Sequence, residues 1–215
     1  MTAVTLSKPL SHERFTQFFG GSWFLLLAVA VAHNVGASPG NSWDSRLSGF
    51  CLAIFYVLLG LLIMTRPPAK AQAEGLLPRI AAFAGTYLPL TIPFFGRAGH
   101  ALPNLASTAF VLTGTIMMLV TIRHLGWSFS LTPQARTVVQ TGPYSWIRHP
   151  LYLWEEIATV GVVLRYLAPA TVAILALHVG LQVCRILYEE DLLRRALPEY
   201  SIYEKSRWRL IPHVW

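Results

Sequence analysis

The sequence predicts an all-α, polytopic transmembrane bundle of about five to six spans, with a C-terminal helical hairpin and a polar pocket on its cytoplasmic side. Three observations predict it. The 215 residues are 54% hydrophobic and only 13% charged, against roughly a quarter charged in an average soluble domain. The mean hydropathy is +0.49, which excludes a disordered chain and argues against an ordinary soluble globule. The acidic and basic residues are also segregated: residues 15–43, 47–65, 80–96, 98–122 and 166–184 contain none.

A helix needs about 20 mostly apolar residues to cross a bilayer core of roughly 30 Å. Leu47–Thr65 fits that requirement best, and Leu105–Ile122 nearly as well. The first interval has a shorter apolar centre, Trp23–Ala32, preceded by Lys8 and Arg14. That order also occurs in secretory signals; it is read here as a retained first span, and later spans keep the chain in the membrane either way. Ile80–Gly96 contains Pro89 and Pro93, so a kinked helix is expected, tolerable where neighbouring helices absorb the break. Residues 150–184 read as two spans joined by a tight turn at Arg165–Pro169.

The basic residues orient these spans. With six spans and a cytoplasmic N-terminus, 14 of the 17 Lys and Arg residues fall inside, leaving only Arg46, Arg97 and Arg165 outside. This is the bias that sets membrane topology, and it accounts for the net charge of +7 without nucleic acid as a partner. Both termini are expected in the cytoplasm, at the inner membrane of a bacterium or the endoplasmic reticulum of a eukaryote. Cys51 and Cys184 lie within spans without metal-type spacing and are expected to pack inertly. No metal site is expected.

The chain divides functionally at residue 125. Residues 1–125 supply N-terminal transmembrane helices, and 126–215 a polar loop, the hairpin and a tail. The loop 126–149 is long for a connection between packed elements, and long loops are often functional. It ends in Gly142-Pro-Tyr-Ser-Trp-Ile-Arg-His-Pro-Leu-Tyr152. Pro150 suits the first turn of a helix, which places Arg148 and His149 at a helix N-terminus that favours anions. An interfacial aromatic belt fits the same residues. Glu155 and Glu156 follow inside the span, where ionisable groups are costly and face a cavity or a partner. Glu156 shares a face with Tyr152 four residues away. Arg185 and Glu189 are likewise four apart; they form either a plain intrahelical pair or two hands for opposite ends of a zwitterion.

These blocks, in this order, resemble the isoprenylcysteine carboxyl methyltransferase family and its phospholipid methyltransferase relatives. The carriers are Gly142 and Tyr144; Arg148, His149, Pro150 and Tyr152; Arg185; Glu189 and Glu190; and the tail Glu199, Tyr200, Tyr203, Arg207 or Arg209, and Pro212. They span about residues 123–213. The resemblance implies S-adenosylmethionine as cofactor, bound without a soluble nucleotide fold. It implies contacts from Arg136, Thr137, Val138 and Val139, from Tyr144, from His149, Pro150, Leu151 and Tyr152, and from Glu189; Gln134 joins this set. It implies a substrate-contacting Arg185. Two departures stand out. Trp154 occupies a place where the family often has Gly, which makes it a candidate substrate contact, and the tail has Leu-Pro-Glu-Tyr in place of a one-residue-longer Phe-Gly-Glu-Glu-Tyr.

A methyl donor and acceptor must be held in line, and an aromatic face, Tyr144 or Tyr152, would tolerate the cofactor's positive sulfur. An acceptor that must lose a proton needs a base, for which Glu156 or His149 is placed. The expected acceptor is a lipid or lipid-like small molecule: a prenylated cysteine, a phospholipid amine or a small thiol. Other readings are an NADPH-dependent sterol-type reductase and a non-enzymatic membrane scaffold.

Overall fold

The computed structural model describes residues 4–6, 10–37, 43–96 and 101–215. Among these residues eight α-helices run in the order α1 (Leu10–Ala37), α2 (Trp43–Thr65), α3 (Leu76–Tyr87), α4 (Ile92–Phe95), α5 (Ala101–Leu125), α6 (Pro150–Arg165), α7 (Pro169–Ala196) and α8 (Tyr200–Lys205). Among the described residues, four stretches are long and apolar enough to cross a membrane: Arg14–Ala37, Arg46–Thr65, Leu105–Ser128 and Pro169–Ala196. The chain is an integral membrane protein of the all-α, polytopic class.

Two expected spans take another form. The 80–96 stretch breaks into α3, a 3-10 turn at Leu88–Thr91 and the one-turn α4. Pro89 and Pro93 each lack the N–H that an α-helix would use, so the ladder is interrupted twice within one turn. The second element, α6, has 16 residues, about 24 Å at 1.5 Å per residue, less than the roughly 30 Å core. Its partner α7 has 28 residues, about 42 Å, and projects beyond the core. The expected turn between them is present. Thr171 closes it, its hydroxyl donating to the Tyr166 carbonyl at 2.9 Å and accepting from the Ala168 amide at 3.0 Å.

Helices pair through small residues. α1 packs along α2 where Gly21 and Gly60 face each other; a Cβ on Gly60 would stand 2.9 Å from the Gly21 carbonyl oxygen. α5 packs along α6 at Gly114 and Gly161; a Cβ on Gly114 would stand 2.6 Å from the Ala158 nitrogen. In hydrocarbon such close backbone approach replaces the hydrophobic effect as the force between helices. Large exposed side chains, among them Phe18, Leu26, Ile54 and Leu177, cover faces suited to lipid. Cys184 is on the exposed surface of α7 rather than in a packed core, and both cysteines are free.

One end of the bundle carries a small sheet that the sequence reading does not anticipate. β1 (Val4–Leu6), β2 (Ala71–Ala73) and β3 (Gln134–Ala135) pair antiparallel in that order. They come from the N-terminal segment and from two connections that topology counting places on one side. Ala71 and Ala135 pack with Leu192 of α7, Leu197 of the connection that follows it, and Tyr200 and Tyr203 of α8. The N-terminal strand and the C-terminal helices therefore meet at the same end.

Candidate functional site

The long loop after α5 is held in place by two arginines from different segments. Arg66, just past α2, donates to the Phe129 carbonyl at 2.9 Å and to the Ser130 hydroxyl at 3.0 Å. Arg136 is buried and donates to the Pro67 carbonyl at 2.9 Å, to Ser130 at 2.6 Å and to Gln134 Oε1 at 2.9 Å. The loop is thus fastened to the α2–α3 connection. At its far end Gly142 adopts φ +60°, a left-handed conformation that glycine accepts without steric cost. A Cβ there would also collide with the His124 ring.

Pro150 is the first residue of α6, as its missing N–H permits. The C-terminal tail is laid beside this helix start. The Arg148 amide donates to the Trp208 carbonyl at 2.8 Å, and the His149 amide to the Arg209 carbonyl at 3.1 Å. From α8, the Tyr203 hydroxyl donates to the Tyr144 carbonyl at 2.7 Å. Burial pushes the phenol of Tyr144 well above its ordinary value and that of Tyr203 up to about 12, so both stay neutral donors at physiological pH.

Glu190 is the centre of this end, fully buried. Its carboxylate accepts from Arg148 at 3.0 Å, Arg194 at 3.0 Å, Arg209 at 2.9 Å and His149 Nε2 at 3.1 Å. A carboxylate only accepts, so Nε2 of His149 carries the proton. Glu204 adds bonds to Arg194 at 2.8 Å and Arg148 at 3.4 Å. One buried anion thereby ties α7, the entrance of α6 and the tail together.

Below this hub lies a cavity of about 330 Å³, within the range of ligand sites. Its polar end is lined by Ser128, Gln134, Tyr144, Arg148, His149 and Glu189, and Tyr152, Glu155 and Arg185 line it further along α6 and α7. Its apolar part is formed by residues such as Phe24, Leu52, Phe55, Val111 and Val162. Tyr152 sits among three functional groups. Its hydroxyl donates to Glu189 Oε2 at 2.8 Å, its ring stacks with His149 at 5.6 Å, and the Arg185 guanidinium lies 4.7 Å from the ring centroid. Arg185 is buried, donates to Gln182 Oε1 at 2.8 Å, and leaves its Nε without a partner. Glu155 accepts from Gln182 at 2.7 Å and lies 3.7 Å from Arg185.

The cavity brings together Gln134, Tyr144, His149, Leu151, Tyr152, Arg185 and Glu189. Other expected residues lie elsewhere. Arg136 clamps the loop, Thr137 is exposed and bonds Ser128 at 2.8 Å, and Val138 packs in the sheet-side cluster. Val139 and Pro150 do not line the cavity. Trp154 packs against the apolar cluster of Met118, Ile122 and Phe129 instead of narrowing the cavity.

Glu156 is turned toward α7, 3.0 Å from Nδ1 of the fully buried His178, whose Nε2 bonds the Gly85 carbonyl at 2.9 Å. The carboxylate that does face the cavity is Glu155. Helical phase explains the difference: Leu151, Tyr152, Glu155, Ala158, Thr159 and Val162 form one stripe at spacings of three and four, and Glu156 lies off it. Of the two alternatives for Arg185 and Glu189, the plain intrahelical pair is not formed: Arg185 meets Gln182, Glu155 and the Tyr152 ring, and Glu189 accepts from the Tyr152 hydroxyl. Sequence reasoning named Glu155 with Glu156 as facing a cavity or a partner but chose Glu156 as the base, and it passed over Gln182 and the hub role of Glu190. The signal available for the last was an acidic doublet close to the basic residues 194 and 209.

The segment that carries most of this site is similar to a known family. Residues 107–195 match the isoprenylcysteine carboxyl methyltransferase (ICMT) family. The matched segment contains α6, α7 up to its last residue but one, and most of the cavity's polar groups, and it supports a membrane methyltransferase. The chain is also 31% identical over 111 residues to the nickel-cobalt-cadmium resistance protein NccN of Alcaligenes xylosoxydans xylosoxydans, covering 50% of this chain and 52% of NccN. The chain thus spans about half the length of that relative. Among the described residues, no group of three or more His, Cys, Asp or Glu side chains is placed to hold a metal ion.

Proposed function

We propose that the protein is an S-adenosylmethionine-dependent methyltransferase of the membrane that acts on an amphipathic, lipid-like acceptor, isoprenylcysteine carboxyl methyltransferase-like in its site. The observation that carries this reading is the single cavity joining the polar groups of the matched segment to an apolar chamber. A water-soluble donor reaches the polar end from the cytoplasm, and the acceptor's alkyl part fills the apolar end from the bilayer.

The residues present suit such a cofactor. Glu189 offers a carboxylate for an amino group, with its side chain 32% accessible. Tyr144 lines the cavity and has a ring for a positive sulfur; the Tyr152 ring is already engaged by His149 and Arg185. Gln134, Leu151 and His149 complete the wall, which none of the residues 136–139 joins. When bound, the sulfonium supplies an activated methyl group. The chain's own work is to align the acceptor, exclude water and hold charge. Arg185, buried with a free Nε, is suited to orient the acceptor's head group. Prenylated cysteine, a phospholipid amine and a thiol all remain acceptor classes at this level. The name of NccN concerns resistance to metal ions; the present site supports chemistry on an organic acceptor as this chain's part.

Titration of S-adenosylmethionine into detergent-purified protein tests the reading, with NADPH as control. Saturable binding that Glu189→Ala abolishes is the expected result. NADPH binding alone would turn the reading to a reductase, and binding of neither by folded protein to a scaffold.

A further inference from the structure

We propose that the groove between α1 and α3 is a binding site for an anionic phospholipid; the inference does not depend on the methyltransferase reading. The groove follows from how the helices pair. α1 packs along α2, and α3 against α7. A cavity of about 660 Å³ is left between α1 and α3, within the size range of ligand sites. From α3, Arg79, Phe83 and Tyr87 line it; residues four apart share one helical face. From α1, Phe19, Gly20 and Trp23 line it opposite them, also at helical spacing.

The two ends of the groove differ in chemistry. At the end that carries the sheet it is lined by Gln72 of β2, Thr132 of the long loop and Arg79. Among the described residues none bonds these three side chains, and Arg79 is exposed. No described carboxylate lines the groove. Arg66 borders the same end, fastened to the loop as above. Further along the helices the lining is aromatic. Trp23 meets the Tyr87 ring edge-on at 6.4 Å, and Tyr87 stacks on Phe83 at 6.3 Å. Phe19, Trp23 and Phe83 are exposed. This is the order of groups that a lipid meets at headgroup level, where Trp and Tyr gather and basic pockets between spans hold anionic headgroups. The phosphate takes Arg79, whose planar fork of donors matches phosphate oxygens. Gln72 and Thr132 donate to the remaining phosphate or ester oxygens, and the acyl chains run over Phe19, Trp23 and Phe83. A zwitterionic lipid brings an ammonium as well, for which the groove has no described carboxylate. Phe24, Tyr87 and Gln134 line this groove and the first cavity alike, so the lipid borders the wall of the candidate site.

The test compares two lipids with the same acyl chains, dioleoylphosphatidylglycerol and dioleoylphosphatidylcholine. Each is titrated into the detergent-purified full chain, and retained lipid is counted by native mass spectrometry. The phosphatidylglycerol is expected to bind about fivefold more tightly, the worth of one arginine at a headgroup. Arg79→Gln should remove that preference. Lys205→Gln, which deletes an exposed cation on α8, should keep it; the pair separates this groove from general attraction of anionic lipid to a basic chain. Gly20→Leu puts a side chain into the groove, where a Cβ would stand in ordinary contact with Ile63 at 3.5 Å. It should weaken both lipids, with melting in detergent reporting that it is folded. The two charge variants decide the matter should Gly20→Leu fail to fold. Equal binding of both lipids by wild type overturns the proposal, as does a preference that survives Arg79→Gln or is lost equally in Lys205→Gln. Undiminished binding of both lipids to folded Gly20→Leu overturns it too. Excess inorganic phosphate is expected to leave the lipid bound; displacement would assign the polar end to a free anion and overturn the lipid.

Discussion

The α1–α2 pair and the α7–tail end are built by different physics. Along α1 and α2 the contacts are small residues and apolar side chains, with Gly21 against Gly60 and a cluster of Phe24, Phe55, Leu59 and Ile63. Lipid competes well for such faces, so shape and close approach hold the pair. At the other end a single buried carboxylate organises three arginines and a histidine. Apolar surfaces tolerate sliding and rotation, whereas an ion network fixes positions, and the cavity's polar wall is attached to the network.

The largest expected effect tests the network. Glu190→Ala leaves Arg148, Arg194 and Arg209 crowded around a buried gap. Removing one partner of a buried ion pair costs about 3–5 kcal/mol. Thermal unfolding in detergent should fall accordingly, and limited proteolysis should release the tail after Ala196. An unchanged melting temperature would mean the arginines hold the tail without their anion, and the contrast between the two ends would collapse.

The apolar pair should respond to bulk instead of charge. Gly60→Leu places a side chain against the Gly21 carbonyl and Leu25, with an expected cost of about 1–3 kcal/mol from overpacking. Cofactor binding should survive, because the polar end is anchored separately. Loss of S-adenosylmethionine affinity in this variant, measured by calorimetry, would show that α1–α2 packing sets the site's shape as strongly as the network does.

The same contrast explains what was legible in the sequence. Membrane elements could be read because charge is excluded from them: residues 47–65 and 105–122 lie within α2 and α5, and Pro89 and Pro93 marked the break between α3 and α4. The turn before Pro169 and the helix start at Pro150 were legible from proline chemistry alone. The sheet was not, since its strands are two or three residues long and their pairing joins positions more than 60 residues apart. The rotation of α6 was hidden for a different reason. Its sequence is apolar on every side apart from the two adjacent glutamates, so periodicity offered no way to choose between Glu155 and Glu156. Glu156 lies 3.0 Å from His178 Nδ1 and Glu155 accepts from Gln182, partners that lie on another helix and are invisible to local spacing. Arg136 illustrates the reverse: a basic residue beside the family motif suggested a ligand contact, but its guanidinium is spent on the Pro67 carbonyl of the α2–α3 connection and on the loop's own Ser130 and Gln134 side chains.

The smallest effect separates hydrogen bonding from charge at the tail. Tyr203 is 4% exposed, and its hydroxyl reaches the carbonyls of Tyr144 at 2.7 Å and Ile147 at 3.4 Å. Tyr203→Phe removes one neutral donor and is expected to cost about 1 kcal/mol, well below Glu190→Ala. The phenol also carries a pH signature. Burial raises it to about 12, opposed by Arg207 and Arg148, from roughly 10 in an unfolded chain. The folded state therefore holds its proton more tightly than the unfolded one. Its contribution is fully present below about pH 10 and is lost as pH rises toward about 12. Wild type should thus lose stability between those values faster than Tyr203→Phe in parallel melts, and the two curves should stay a constant distance apart from pH 6 to 9. A gap that closes within that lower range would mean that titration of the buried ion network, and not the tyrosine's hydrogen bond, secures the tail over the site.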